Sequence, residues 1–340
     1  MREPKILSIL TAAAVVVGIS GPTRAIAQEK TQLQFVSLPV GALTSLASTA
    51  IAGLVSKKTS YAVTVTPYAG PQVYIPMLDR GEASFAIFSV TDARMAFQGV
   101  QPTYRQPNRN LRLASVAFEN RVAGMVTVKS GLTGKDQLRG KRIASSFPAH
   151  QSCFEIATAL LANYGLDWKD FVEVPVASAV PAVNALGDGR VEFNPCGAFG
   201  LPVNREVNVR TPLRFISVDP SPEAVKRAAN IFPGVRAVLA KANSAEGVVE
   251  DTNVFGFDFY FVTNAQLSDE AVYSVVKTVW ENLPELRQAH PAFLLWTQQR
   301  MAGADVVALP YHPGAIKFFK EKGAWTDAVD RANVRRVASQ

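Results

Sequence analysis

A strand that runs through a small, polar turn into a helix recurs along this chain, and that recurrence limits the fold more than any other feature. It is written most fully at residues 134–166. The pattern predicts a short strand at 142–146, with Ile143 and Ala144 between Lys141-Arg142 and small polar residues. The chain then turns through Ser146-Phe147-Pro148-Ala149-His150-Gln151 and enters a helix at Gln151 or Ser152. Cys153, Ile156, Ala157, Leu160, Leu161 and Tyr164 recur at the three- and four-residue spacing of one buried helix face. Gly165 ends the helix, since a residue without Cβ enters the left-handed region freely. Ser145, Ser146 and Ser152 leave room for close approach to the backbone. A helix N-terminus there offers unpaired N–H groups and a partial positive charge, which suits an anionic or polar ligand.

The same device appears earlier. A strand at 33–37 enters the turn Leu38-Pro39-Val40-Gly41-Ala42, and Leu43, Leu46, Ala47, Ala50, Ile51, Leu54 and Val55 then form one helix face. A strand at 61–67 leads to Tyr68-Ala69-Gly70-Pro71. Pro71 suits the first helical position, and Pro76 is expected to kink the helix. A third strand, at 81–88, ends in Ser89-Val90-Thr91-Asp92, with Thr91 or Asp92 as N-cap. Three strand ends thus bring small or hydroxyl residues to the carboxyl edge of one sheet, where open α/β sheets bind ligands.

Residues 111–128 read as two apolar strands, LRLASVAF and VAGMVTV, the second crossing to another lobe. That lobe takes in 134–166, a strand near 171–174, a helix from Ser178, and a strand at 190–194. The last of these enters a loop, Pro195-Cys196-Gly197-Ala198-Phe199-Gly200. The aromatic strand at 254–263 is the return crossing. The expectation is two α/β lobes joined by two hinge strands: residues 28–126 with 254–340, and residues 127–253.

Residues 1–27 read as an export signal: Arg2 and Lys5, an apolar run broken by Gly21-Pro22, then Ala25-Ile26-Ala27. The run is short for a membrane span. The net charge of +7 falls to +5 without this segment, and the surplus is spread out. No basic stripe or aromatic platform suggests nucleic acid as a partner. With 48% hydrophobic and 19% charged residues, the 340-residue chain is long enough for two domains. Its only cysteines are Cys153 and Cys196. Neither lies near the cleavage site, so the expectation is a freely diffusing periplasmic protein and not a lipoprotein. In an oxidising compartment the two cysteines either pair or stay as small buried thiols, and the residues leave both open. Three scattered histidines and two cysteines show no metal-ligand spacing, and no cofactor is expected.

Four segments carry a resemblance to a known family. They are LTGKDQLRGKRIA at 132–144, ENLPELRQAHPAF at 281–293, LPYHPGAIKFFKEKGAW at 309–325 and RGEASFAIFSVTDA at 80–93. The sequence resembles the TAXI-type solute-binding proteins of TRAP transporters over nearly all of residues 28–340. The resemblance implies a type II periplasmic binding-protein fold. It also implies a receptor, not an enzyme, that captures a small organic solute (an amino acid or carboxylate) and hands it to TRAP-type membrane permease subunits. A monomer is expected. Two other outcomes are a receptor of the same fold serving a sensor kinase, and a periplasmic hydrolase using Ser152 and His150. The chain departs from the family in its ligand loops. Gly41-Ala42-Leu43-Thr44-Ser45 lacks the family's tyrosines, Ala69-Gly70-Pro71 lacks a glycine pair, and Ala149-His150-Gln151-Ser152 replaces alternating Gly and Ser.

The expected ligand contacts are Ser37, Val40, Gly41 and Ala42 after the first strand, Tyr68, Gly70 and Pro71 after the second, and Ser89 after the third. Phe147, His150, Gln151 and Ser152 follow the strand at 142–146, and Gly197 and Phe199 complete the set. Arg94 and Arg121 are candidate carboxylate clamps, since a guanidinium fork matches that geometry. His290 and His312, in AHP and YHPG, read as turn-closing residues.

Overall fold

The computed structural model describes residues 30–303 and 308–337; the segment read as an export signal lies outside them. The described strands are β1 (Thr31–Ser37), β2 (Tyr61–Pro67), β3 (Phe85–Ser89), β4 (Leu111–Thr127) and β5 (Arg142–Ser146). They continue with β6 (Val172–Val176), β7 (Asn194–Ala198), β8 (Leu213–Ile216), β9 (Arg236–Ala240) and β10 (Thr252–Asn264). The helices that position the site are α1 (Leu43–Lys58), α2 (Pro71–Asp79), α3 (Val90–Gln98), α4 (Gln151–Tyr164) and α5 (Ala179–Gly187).

β1 lies between β2 and β3, all three parallel, so their carboxyl ends point the same way. β10 pairs antiparallel with β3 near its end and with β9 near its start. β4 runs antiparallel to β10, and its far end takes up β7 and β8. β5 and β6 form a separate parallel pair, tied to this sheet by a bridge from Ile143 to Phe193. Two α/β halves therefore share β4 and β10. The core follows the strands. Phe35, Phe85 and Phe261 meet with ring centroids 4.9–5.8 Å apart.

Several elements differ from the sequence reading. Residues 111–127 form one strand of 17 residues, not two. The polar triplet Glu119-Asn120-Arg121 looks like a break in an apolar run. Here it stays in the sheet because the Glu119 carboxylate accepts from Arg121 Nε at 2.9 Å and from Arg236 on β9. β3 begins at Phe85, since Gly81 (φ +76°) still belongs to the turn after α2. α2 runs on through Pro76. The expected loop from Pro195 is strand as far as Ala198. The α3 cap is Ser89, not Thr91 or Asp92. Its hydroxyl accepts from Asp92 N at 3.0 Å, and the Asp92 carboxylate reaches back to Ser89 N, a capping box.

Cys153 and Cys196 form a disulfide that ties the start of α4 to β7 across 43 residues of sequence. In the chain-entropy picture a loop of that size stabilises the fold by about 4 kcal/mol. The double variant Cys153→Ala/Cys196→Ala, or reduction of the wild type, is expected to lower denaturant stability by roughly 2–4 kcal/mol. Urea melts with and without reductant measure this; equal midpoints would show that the bridge contributes nothing.

Candidate functional site

The ends of β1 and β3 meet the starts of α4 and α5 around a cavity of about 60 Å³. One water needs roughly 10–15 Å³ on this measure, so the space holds a few heavy atoms. Leu38, Ala42, Thr44 and Ser89 line it from one half, and His150, Ser152, Ile156, Ser178 and Ala179 from the other. Asn120 on β4 and Phe257 on β10 pair in register at its floor, and Phe232, Phe259 and the Cys153–Cys196 bridge complete the wall. A wider groove of about 1070 Å³ shares Leu43, Asn120 and Leu201 with it and carries Arg121, Phe199 and Arg205.

Direct contacts join the halves beside the cavity. Ser152 Oγ donates to Asp92 Oδ2 at 2.9 Å, and Ser89 Oγ donates to the same oxygen at 2.6 Å. Gln72 Nε2 donates to the Pro148 carbonyl. Gly70 lies so close to the turn at 148–150 that a Cβ on it would come within 1.1 Å of the Ala149 oxygen. Arg94 on α3 faces Glu155 on α4 at 3.6 Å.

Burial raises the pKa of Asp92, opposed by His150 and the two serine hydroxyls. Burial lowers that of His150, opposed by Asp92. Glu155 is pushed up to about 7, by burial first and by Asp92 besides, with Arg94 pulling the other way. Arg94 approaches it at 3.6 Å without a hydrogen bond, and Glu155 Oε2 has no hydrogen-bond partner. Near pH 7, then, the carboxyl stands at the balance point between that pair and desolvation.

Ala42, Ser89, His150 and Ser152, among the expected contacts, line the smaller cavity, and Phe199 lines the wider groove, its ring 4.1 Å from that of Phe215. Gly41 (φ +97°) packs toward Val180 and Val203, and Gly70 packs on Ala149, so both lie where the halves touch. The others lie elsewhere. Ser37 is buried, with its hydroxyl on the Leu38 carbonyl. Val40 is 84% exposed. Tyr68 packs on Tyr74, and Pro71 starts α2. Phe147 is buried in the core because Ser146 (φ +73°) and Phe147 (φ +48°) turn the chain sharply before α4. Gln151 does not line the cavity, and Gly197 sits inside β7 against the Ala123 carbonyl.

Arg94 and Arg121 are occupied by Glu155 and Glu119. The Ser152 hydroxyl goes to Asp92 and not to His150, so the nucleophile–base pair of a hydrolase is not formed. His290 and His312 accept from Ala292 N and Gly314 N in their turns. The described residues hold no cluster of metal-ligating side chains and no helix long and apolar enough to cross a membrane.

Thr44, Asp92 and Asn120 escape sequence reading as site residues. Thr44 and Asp92 look like ordinary first-turn residues. Asn120 had one signal, its place in a polar triplet inside an apolar run.

The model of the NMT1-like family matches residues 41–323. This chain belongs to the NMT1-like family. The matched span begins at Gly41, so it takes in the first cavity loop, and it ends past the helix Pro313–Glu321. The fold of this NMT1-like protein is similar to that of the periplasmic binding protein BugD, with a TM-score of 0.56 and 12% identity over 89% of this chain and 98% of BugD. It is also similar to a protein described as a periplasmic transporter, with a TM-score of 0.55 and 12% identity over 89% and 95% of the two chains. PhnD1 from Prochlorococcus marinus (MIT 9301), solved with methylphosphonate, matches with a TM-score of 0.52 and 11% identity over 86% and 99%.

Two predictions follow from the contacts between the halves. Gly70→Ala penalises the arrangement in which residue 70 rests on Ala149, by about 1–3 kcal/mol or more, and is expected to enlarge the radius of gyration in X-ray scattering. An unchanged profile would show that the contact is not what holds the halves together. Between pH 4.5 and 7 the folded protein keeps the Glu155 proton that the unfolded chain has lost. Stability therefore falls as pH rises through that window, on the order of 1–3 kcal/mol. His150 acts in the opposite sense below its ordinary range, so the comparison is wild type against Glu155→Gln. The variant is expected to lack the falling limb in melts at pH 5, 6 and 7.

Proposed function

We propose that this protein is an extracytoplasmic solute-binding receptor that works by hinge closure. The observation that carries the reading is the cavity where the two halves meet, set at the carboxyl ends of β1 and β3 and at the starts of α4 and α5. Ligands of open α/β sheets lie at such edges. In this reading residues 28–126 with 254–340 form one lobe and 127–253 the other. β4 and β10 act as the flexing connectors. Ala42, Ser89, His150 and Ser152 touch solute, and Phe199 stands at the mouth.

The finer assignment, to a TAXI-type receptor serving TRAP-type permease subunits from the periplasm as a monomer, follows the family segments at 132–144, 281–293 and 309–325. The fold shared with BugD and with PhnD1, the latter solved with a small organophosphorus compound, supports a small-molecule ligand. The role is capture and delivery without turnover.

Closure is populated in proportion to the solute's differential affinity for the closed form. An extract of small periplasmic metabolites is therefore expected to raise the melting temperature and to shrink the radius of gyration. A double variant on the two cavity faces, Ser89→Trp/Ser152→Trp, is expected to abolish both effects and solute uptake in cells. Uptake that survives the double variant would end the transport reading.

A further inference from the structure

Buried polar atoms without partners mark places where a group's bonding is incomplete. Asn120 Oδ1 at the cavity floor is one. The contact between α3 and α4, with the turn before α4, holds three more: Arg94 Nε, Glu155 Oε2 and His150 Nδ1. All three belong to groups that carry charge, and the contact joins one half to the other. Arg94 and Asp92 come from α3, and Glu155 and Ser152 from α4.

The charges at this contact do not balance. Asp92 and Glu155 act on each other as like charges, and one guanidinium, Arg94, stands 3.6 Å from Glu155 without a hydrogen bond to it. Asp92 is buried and has no route to water, and Glu155 is partly buried. Two carboxyls held close in a dry place disfavour double ionisation, and one proton removes the conflict. The surrounding elements bring no further charge to bear. In the helix Pro222–Ile231, packed along α4, Arg227 donates to the Ala162 and Asn163 carbonyls, while Glu223 and Lys226 are exposed. In the turn Trp168–Asp170, where Trp168 stacks on Phe154, Asp170 pairs with Arg139 and Lys169 is exposed. Tyr74 and Tyr104 lie near Asp92, and burial pushes both hydroxyls up, so they stay neutral.

We propose that closure of the two halves takes up a proton at Glu155, which makes the α3–α4 contact a pH-sensitive latch that acid closes and alkali opens. This rests on the receptor reading above and adds regulation of the same site. When α3 and α4 part, Glu155 leaves Asp92 and Arg94 and returns to water. In the closed form burial and Asp92 hold its carboxyl at about 7, against an ordinary value of 4.5. Between those values closing binds a proton, so the closing constant rises as pH falls. Above 7 the carboxyl is ionised in both forms and this contribution is lost. His150 works in the opposite sense, since burial lowers its pKa and closing expels its proton below about 6.5. Asp92, raised by burial, works in the same sense as Glu155, and a Glu155 variant separates the two.

The test is X-ray scattering of the purified protein without solute, from pH 6.5 to 8.5, where His150 is neutral in both forms. The wild-type radius of gyration is expected to grow as pH rises, following a closing constant that falls about fourfold. Glu155→Gln, uncharged throughout, is expected to hold the smaller radius at every pH. Arg94→Gln is expected to move the change to higher pH, because Arg94 pulls the proton off Glu155. A wild-type radius that ignores pH, a Glu155→Gln radius that still follows it, or an Arg94→Gln profile that matches wild type would each overturn the latch. The receptor reading fails separately. If metabolite extract still shrinks the radius at fixed pH, only the latch falls, whereas a radius that neither pH nor extract moves ends both.

Discussion

The pairing of β4 with β10 is the constraint on which the rest depends. These are the two strands that belong to both halves, and their register puts Asn120 opposite Phe257 at the floor of the cavity. Charges in the middle of a sheet are costly unless matched. Here Arg236 on β9 bridges Glu119 on β4 and Asp258 on β10, and Arg121 and Arg300 complete the set. Burial alone would raise the Glu119 pKa; the bonds from Arg121 and Arg236 together outweigh it and hold the carboxyl below its usual range. The connectors are thus cross-linked by side chains just where they change from one half to the other.

Asp92 joins the two halves in a second way. Its carboxyl caps α3 from within that helix and also accepts from Ser152 at the start of α4. A helix start normally satisfies its free N–H groups locally. Here one buried acid serves a cap on one side and a serine of the facing helix on the other, so the local rule and the contact between halves use the same atoms. Gly70 plays the steric counterpart, since no side chain fits between it and Ala149.

The disulfide adds rigidity to one side. It fixes the start of α4, with His150 and Ser152, to β7, so the two elements of that cavity wall are covalently joined. The other wall comes from turns after parallel strands, which have no such tie. One wall is thus fixed by the bridge, and the other is set by the turns after β1 and β3.

Much of the fold was legible in the sequence. Alternation, helix spacing and stop glycines located β1, β2, α4, α5 and the start of α1 to within a residue or two, because these signals are local and act through backbone conformation. The two crossing strands were legible as long apolar runs. That 111–127 is one strand was not, because Glu119, besides its neighbour Arg121, is matched by Arg236, more than a hundred residues away. The candidate site was legible as a set of turns and much less as a set of atoms. Ala42, Ser89, His150 and Ser152 face the cavity, while Phe147 and Tyr68, which read as plausible aromatic contacts, pack inward or on a neighbour. A sequence assigns a residue to a turn, but which way its side chain leaves depends on φ, as Ser146 and Phe147 illustrate. The pairing of Cys153 with Cys196, the bridging role of Asp92, and the unpartnered amide of Asn120 were decided by tertiary structure alone, since each depends on what a distant segment brings to within bonding distance.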